Sequence, residues 1–240
     1  MLILAIDTSG PSGGITLAAT PAHATSARSG DPEAGAASFR VIESAPIGGG
    51  TFSAQLIPTL SALLSKQGFS AKDLGGFAAA SGPGSFTGLR VGLSAIKGLA
   101  EVLHKPIAVV SVLEALAAAS AQKGKIAAAL DAGRKEAFLG FYRVANGTAA
   151  HEREELAAQV ELAGKLRDAG CELLVTSDPA LAQLASTANI HVQLADRPGS
   201  QAIARLGARK LLAGETISVD ALDANYLRRS DAELFFKGQR

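Results

Sequence analysis

Residues 2–6, Leu-Ile-Leu-Ala-Ile, form an apolar run closed by Asp7-Thr8-Ser9-Gly10, the pattern of a buried strand entering a polar turn. Residues 14–19 and 39–44 predict two more strands, with a loop between them over 20–37 that is rich in Ala, Ser, Pro, Gly and Asp and has no periodicity. Leu56, Ile57, Leu60, Leu63 and Leu64 recur at helical spacing, predicting a helix over 53–67 that Gly68 stops. A fourth strand is expected at 76–80. Beyond the run Ser81-Gly82-Pro83-Gly84-Ser85-Phe86-Thr87-Gly88-Leu89-Arg90 a helix should reach about Leu103, ended by Lys105-Pro106. After a strand at 107–110 comes Ser111-Val112-Leu113-Glu114. This is a capping box, whose hydroxyl and carboxylate satisfy two orphan amides at the start of a helix over 112–122.

The pattern then restarts. Ile126-Ala127-Ala128-Ala129-Leu130-Asp131-Ala132-Gly133 echoes Leu2-Ile3-Leu4-Ala5-Ile6-Asp7-Thr8-Ser9, an apolar strand ending in Asp and small residues. A strand over 136–144 follows, and Asn146-Gly147 turns it back towards a third. Helices near 161–168, 179–188 and 201–213 alternate with strands at 172–176 and 191–194. Two halves of this kind predict a duplicated α/β architecture, divided into residues 1–108 and 109–240.

Composition narrows the function classes. The 240 residues are 48% hydrophobic and 19% charged with a net charge of +1, which excludes a disordered chain and binding to nucleic acid by bulk charge. The single cysteine, Cys171, excludes an internal disulfide and a cysteine zinc site. No apolar run reaches ~18 residues, and the opening run has no basic segment before it, so a cytoplasmic globular protein is expected. With no Trp and two Tyr, the chain is a poor platform for stacking bases.

Asp7 and Asp131 end the matching strands, where paired carboxylates can hold a magnesium ion bridging nucleotide phosphates. Thr8 and Ser9 would add hydroxyls to such a site. The alternative reading is that each Asp caps its own turn. The 82–88 loop joins a strand to a helix, where amides favour an anion, but it has neither the Walker nor the dinucleotide spacing. Gly84, Gly88 and Gly92 with Ala95 leave a small-residue stripe along the following helix, which serves either tight packing within the domain or a protein–protein surface shared with the 53–67 helix. The four histidines, His23, His104, His151 and His191, are scattered with no metal-binding spacing, and Cys171 reads as a core residue. Arg228 and Arg229 suit ion pairs or, with Lys237 and Arg240, a few phosphate contacts.

The run Ser81 to Gly92 resembles the signature of the bacterial TsaB (YeaZ) family, and Leu4-Ala5-Ile6-Asp7-Thr8-Ser9, Leu130-Asp131-Ala132-Gly133-Arg134-Lys135-Glu136 and Tyr226-Leu227-Arg228 match it in order. The resemblance spans essentially the whole chain. It implies the actin/Hsp70/sugar-kinase (ribonuclease H-like) type of fold, two related lobes each with a mixed sheet flanked by helices. It also implies a non-catalytic paralogue of TsaD, the transferase that places a threonylcarbamoyl group on adenosine 37 of tRNAs reading ANN codons. Such proteins form homodimers, pair with TsaD through helices of the first lobe, and with it recruit the ATPase TsaE. On that pattern the interface falls on Leu56, Leu60, Leu63, Gly84, Phe86, Thr87, Gly88, Gly92 and Ala95. The subunit would carry no cofactor of its own, ATP or ADP and magnesium belonging to the whole complex, and it would meet tRNA through that complex. Phe52 stands where the family often has His, and Ala224 where it often has Pro.

The alternative is an autonomous magnesium-dependent ATPase or kinase-like enzyme working through Asp7 and Asp131. Against it, the second half shows only single turns, Ser177-Asp178-Pro179 and Arg197-Pro198-Gly199, where a glycine-rich adenosine loop belongs. An endopeptidase has no dyad or zinc motif to support it.

Overall fold

The computed structural model describes residues 1–20, 39–48, 50–120 and 122–228. His23 and the rest of the expected loop, Arg229, Lys237 and Arg240 lie outside them. In the first half run β1 (Leu2–Asp7), β2 (Gly13–Ala19), β3 (Arg40–Ile47), α1 (Phe52–Lys66), β4 (Leu74–Gly82), α2 (Phe86–Leu103), β5 (Ile107–Ser111) and α3 (Val112–Ala118). The second half repeats the order with β6 (Gly124–Gly133), β7 (Glu136–Ala145), β8 (Thr148–Ala158), α4 (Leu162–Asp168), β9 (Leu173–Thr176), α5 (Pro179–Thr187), β10 (His191–Leu194) and α6 (Ser200–Ala213).

Each half builds a five-stranded sheet, in the order β3-β2-β1-β4-β5 and β8-β7-β6-β9-β10. Strands one to three of each sheet form an antiparallel meander, and the next strand returns parallel to the first. The duplication read from the apolar runs is therefore present strand for strand. Asp7 and Asp131 occupy matching places, opposite Gly14 and Ala137 near the turn ends of their hairpins.

Two expected elements change length. Strand β3 continues through Pro46, which is tolerated because β3 is an edge strand and its missing amide interrupts no inner ladder. Helix α3 begins at the predicted capping box, where the Ser111 hydroxyl accepts the amides of Leu113 at 3.1 Å and Glu114 at 3.4 Å. It stops at Ala118 rather than 122, because the Ser120 hydroxyl captures the amide of Gln122 at 3.0 Å and turns the chain away.

The compact units do not divide the chain at one point. The first comprises Met1–Ser81, Thr87–Val110 and Gly199–Ala224, and the second Gly82–Phe86, Ser111–Pro198 and Asn225–Arg240. A single cut after residue 108 does not reproduce this partition, because the closing helix of each half is exchanged. Helix α3 packs on β6, β7 and β8, while α6 packs on β1 and β2.

In the first unit, alternate residues of each strand serve opposite faces of the sheet. Leu4, Ile6, Ile15, Leu17, Phe77 and Ala79 join Leu56, Leu60, Leu63 and Leu64 of α1 and Leu89, Leu93 and Ile96 of α2 in one buried cluster. Each such leucine contributes about 1.5–3 kcal/mol by leaving water. The other face receives α6 at very short range: a Cβ on Gly207 would stand 2.3 Å from the Ala78 methyl, and one on Gly76 would stand 3.0 Å from Leu211. Thr16, fully buried, links the helix to the sheet through hydroxyl contacts to Ser200 at 2.8 Å and Ser44 at 2.9 Å.

In the second unit, Leu139, Phe141 and Leu174 bury one face beneath α4 and α5. A polar knot joins α3, β7, β8 and the chain after α6. The Glu154 carboxylate accepts the Ser111 hydroxyl at 2.5 Å, the Tyr142 hydroxyl and the Asn225 side-chain amide. Gly140 is what admits the Tyr142 ring, since a Cβ there would meet it at 2.7 Å. Burial, and then the adjacent Glu154 charge, push the Tyr142 phenol far above its usual value.

Gly207→Ala should lower stability by about 1–3 kcal/mol, since the added methyl has no space. Gly98→Ala, where a Cβ meets nothing within 4 Å, should instead raise it by about 0.5–1 kcal/mol. Urea titration of the two variants checks the pair. Alkaline pH supplies a second test. Unfolded Tyr142 ionises near pH ~10 while the folded residue keeps its proton, so stability present below that pH falls as pH rises past it. Tyr142→Phe should flatten this alkaline decline yet cost about 1–3 kcal/mol at neutral pH, because Glu154 loses a donor. Urea midpoints from pH 8 to 11 read both effects.

Candidate functional site

The first-unit candidates converge on the end of β1. Asp7, Thr8 and Ser9 are all buried, at 3%, 3% and 2% exposure. The Asp7 carboxylate accepts the Ser9 amide at 2.9 Å, an Asx turn. Thr8 donates its hydroxyl to the Gly88 carbonyl at 2.7 Å, and a Cβ on Gly92 would collide with that hydroxyl at 2.4 Å. The glycines of α2 thus let the helix close on the turn after β1. Phe52 begins α1 beneath the same hairpin, its ring 2.8 Å from where a Gly13 Cβ would lie.

In the second unit, Asp131 is exposed and caps a turn in the same way, accepting the Gly133 amide at 3.1 Å and the Gln159 side-chain amide at 3.0 Å. Both strand-end aspartates therefore carry out the turn-capping alternative. Among the described residues no group of three or more His, Cys, Asp or Glu is placed to hold a metal ion. Burial raises the Cys171 thiol above its ordinary value and keeps it in the core beside Leu166 and Leu174.

The expected interface residues separate into two sets. Leu56, Leu60 and Leu63 are 2%, 4% and 4% exposed and belong to the core, as do the buried Gly88 and Gly92. These five are buried within the unit itself and offer little surface to a partner. Gly84 and Phe86 are half-buried, Thr87 is exposed, and Ala95 is half-buried against the core cluster.

What α2 turns outward is a different set, Thr87, Arg90, Ser94, Gly98, Glu101 and Val102, with Val102 77% exposed. Ser94, Gly98 and Val102 form one uncharged row at i, i+4 and i+8, with Arg90 and Glu101 beside it. On α1 the exposed Ala54, Ile57, Pro58, Ser61, Ala62 and Ser65 are uncharged, Ile57 being 52% exposed, and the charged Lys66 follows at the end of the helix. The signal was available in the spacing, where Gly98 and Val102 continue a row that the conspicuous glycines at 88 and 92 do not share.

The segment after α6 is held by contacts that the sequence pattern did not disclose. Asn225 meets Glu154, Tyr226 stacks on Phe86 with ring centres 4.9 Å apart, and Arg228 spans the β6–β7 turn. The Arg228 guanidinium donates to the carbonyls of Ala132 at 2.7 Å and Gly133 at 3.3 Å, and to the Glu136 carboxylate. This is the ion pair expected as one fate of that arginine.

No helix among the described residues is long and apolar enough to cross a membrane. The family model of TsaD, tRNA N6-adenosine threonylcarbamoyltransferase, matches residues 48–211. The tRNA threonylcarbamoyladenosine biosynthesis protein TsaB of Bacillus subtilis (strain 168) is 31% identical over 197 residues, covering 75% of this chain and 81% of that one. The protein of the same name from Escherichia coli (strain K12) is 32% identical over 112 residues, 45% of this chain and 48% of that one. A crystal structure of YeaZ from Pseudomonas aeruginosa superposes with a TM-score of 0.73 at 21% identity, covering 94% of this chain and 99% of the other. A second Pseudomonas aeruginosa structure, described as similar to peptidase YEAZ, gives the same TM-score at 23% identity, with 95% and 99% covered. The chain thus has the overall fold of the solved YeaZ structures, and it belongs to the TsaB (YeaZ) family.

Proposed function

We propose that this chain is a non-catalytic subunit of the machinery that forms threonylcarbamoyladenosine in tRNA, acting as partner and activator of a TsaD-type transferase. The observation that carries the reading is the match over 197 residues to a relative named for that biosynthesis. The capped carboxylates support it from the structural side, since Asp7 and Asp131 each have an oxygen engaged in their own turn.

The pairing surface on this reading is the outward face of α1 and α2, not their buried leucines and glycines. Interface cores are depleted in charge, and the rows Ser94-Gly98-Val102 of α2 and Ile57-Ser61-Ala62 of α1 carry none, with Lys66, Arg90 and Glu101 at their margins. Small residues such as Gly98 and Ser94 let a second helix come close. A second copy and the transferase would use the same face in turn, and the assembled pair would recruit the TsaE-type ATPase and meet the tRNA.

The test is a reconstituted modification assay with TsaC, TsaD and TsaE of the same organism, read by mass spectrometry of digested tRNA. Product should form only when this chain is present, with no ATP turnover by the chain alone. Equal product without it, or strong magnesium-dependent ATP hydrolysis by it alone, would overturn the reading in favour of the Asp7/Asp131 enzyme. Two substitutions locate the surface. Gly98→Arg should abolish co-elution with the transferase in size-exclusion chromatography while leaving the melting temperature unchanged or higher, since an exposed helical glycine is lost. Leu60→Ala should cost about 2–5 kcal/mol of stability and affect pairing only as far as the fold is lost. Undiminished co-elution of the Gly98→Arg protein would move the interface elsewhere.

A further inference from the structure

The second sheet contains two hairpins closed by the same kind of turn from very different residues. Ala145 pairs with Thr148, leaving Asn146-Gly147 as the loop, with φ of 51° and 68°. Gly133 pairs with Glu136, leaving Arg134-Lys135, with φ of 55° and 60°. Both are two-residue turns with left-handed backbone at both positions, the conformation that selects Asn-Gly. Arg and Lys rarely adopt it, because their Cβ crowds the following carbonyl.

The Arg134-Lys135 turn is held open by its surroundings. Arg228 binds the carbonyls of Ala132 and Gly133, the Gln159 backbone amide binds the Lys135 carbonyl at 2.9 Å, and the Gln159 side chain reaches the Glu136 carbonyl at 3.4 Å. The nearby carboxylates are engaged too, Glu136 by Arg228 and Asp131 by Gln159 and the Gly133 amide. At the tip stand two exposed cationic side chains on a backbone that is fixed from behind.

We propose that this turn is a phosphate-gripping finger, Arg134 and Lys135 contacting the sugar–phosphate backbone of an RNA, with Arg228 as the positioning residue. The proposal rests on the reading that the chain acts on tRNA within a complex. The tip of a hairpin is convex, whereas small anions are held in concave sites, so the fitting occupant is an extended polyanion. Two local cations also reconcile phosphate contact with a net charge of only +1. Such contacts supply part of the grip of a larger assembly and set register rather than sequence choice.

The experiment measures binding of an unmodified tRNA transcript to the full chain assembled with its TsaD-type transferase, by fluorescence anisotropy from 50 to 200 mM KCl. The variant is Arg134→Asn with Lys135→Gly, which installs the residues the turn prefers. Its melting temperature should rise, while tRNA affinity falls roughly 10-fold at low salt and the salt slope shrinks by about 1.5–2. Arg228→Gln should weaken binding in the native background and add no further loss to the Asn-Gly variant. Unchanged affinity and slope in a stabilised Asn-Gly variant would overturn the finger, and an additive loss from Arg228→Gln would overturn its positioning role. A chain that neither pairs with the transferase nor supports modification fails the underlying reading instead, a result visible before any tRNA is added.

Discussion

The first sheet is covered on one face by α1 and α2, and among the described residues of 1–110 none covers the other. That face is closed by α6, which sits against it with glycine on one side and alanine on the other. The approach is so close that a single methyl on Gly207 has no room. The hydroxyls of Thr16, Ser44 and Ser200 work in the same place, tying a fully buried polar residue of β2 to the start of α6 and leaving none of the three unpartnered. The second sheet has the complementary need and takes α3. Each half of the chain thus supplies the cover for the other half's sheet, and the partition of the molecule into units follows from that exchange.

Small residues do four separate jobs in this fold, and telling them apart decides where a partner can bind. Gly207 and Gly76 let a helix reach a sheet. Gly88 and Gly92 let the start of α2 close on Thr8, whose hydroxyl caps the Gly88 carbonyl. Gly98, with open space around it, faces outward in a row with Ser94 and Val102. In the second unit Gly140 has a fourth use, clearing the space in which Tyr142 reaches Glu154.

Much of this was legible in the residues. The two apolar strands ending in Asp7 and Asp131 announced a duplication that the sheet orders repeat, and the Ser111–Glu114 capping box starts α3 where it was read. Less visible was anything that depends on a neighbour distant in the chain. The stop of α3 at Ala118 hangs on the Ser120 hydroxyl, and periodicity alone carried the helix past it. Leu56, Leu60 and Leu63 were conspicuous because they are apolar and regularly spaced, which is also why they are buried and offer little surface to a partner. The outward row through Ser94, Gly98 and Val102 is inconspicuous because its residues share a lack of charge rather than a chemical type. Glu154, Gln159 and Asn225 gave no signal, since their roles arise from contacts 71 residues apart in one case and 28 in another.

The exchange of closing helices also orders events on the ribosome. Among the described residues of 1–110 none covers the second apolar face of their sheet, and α6 does not exist until Ser111–Pro198 has been made. At roughly 5–20 residues per second that interval is on the order of 5–20 s. The second unit, which has received α3 from upstream, can assemble its sheet during the same interval. The sheet encoded second is therefore free to form before the first is covered, its own unit still awaiting Asn225, and the early part of the chain must be kept soluble through that wait.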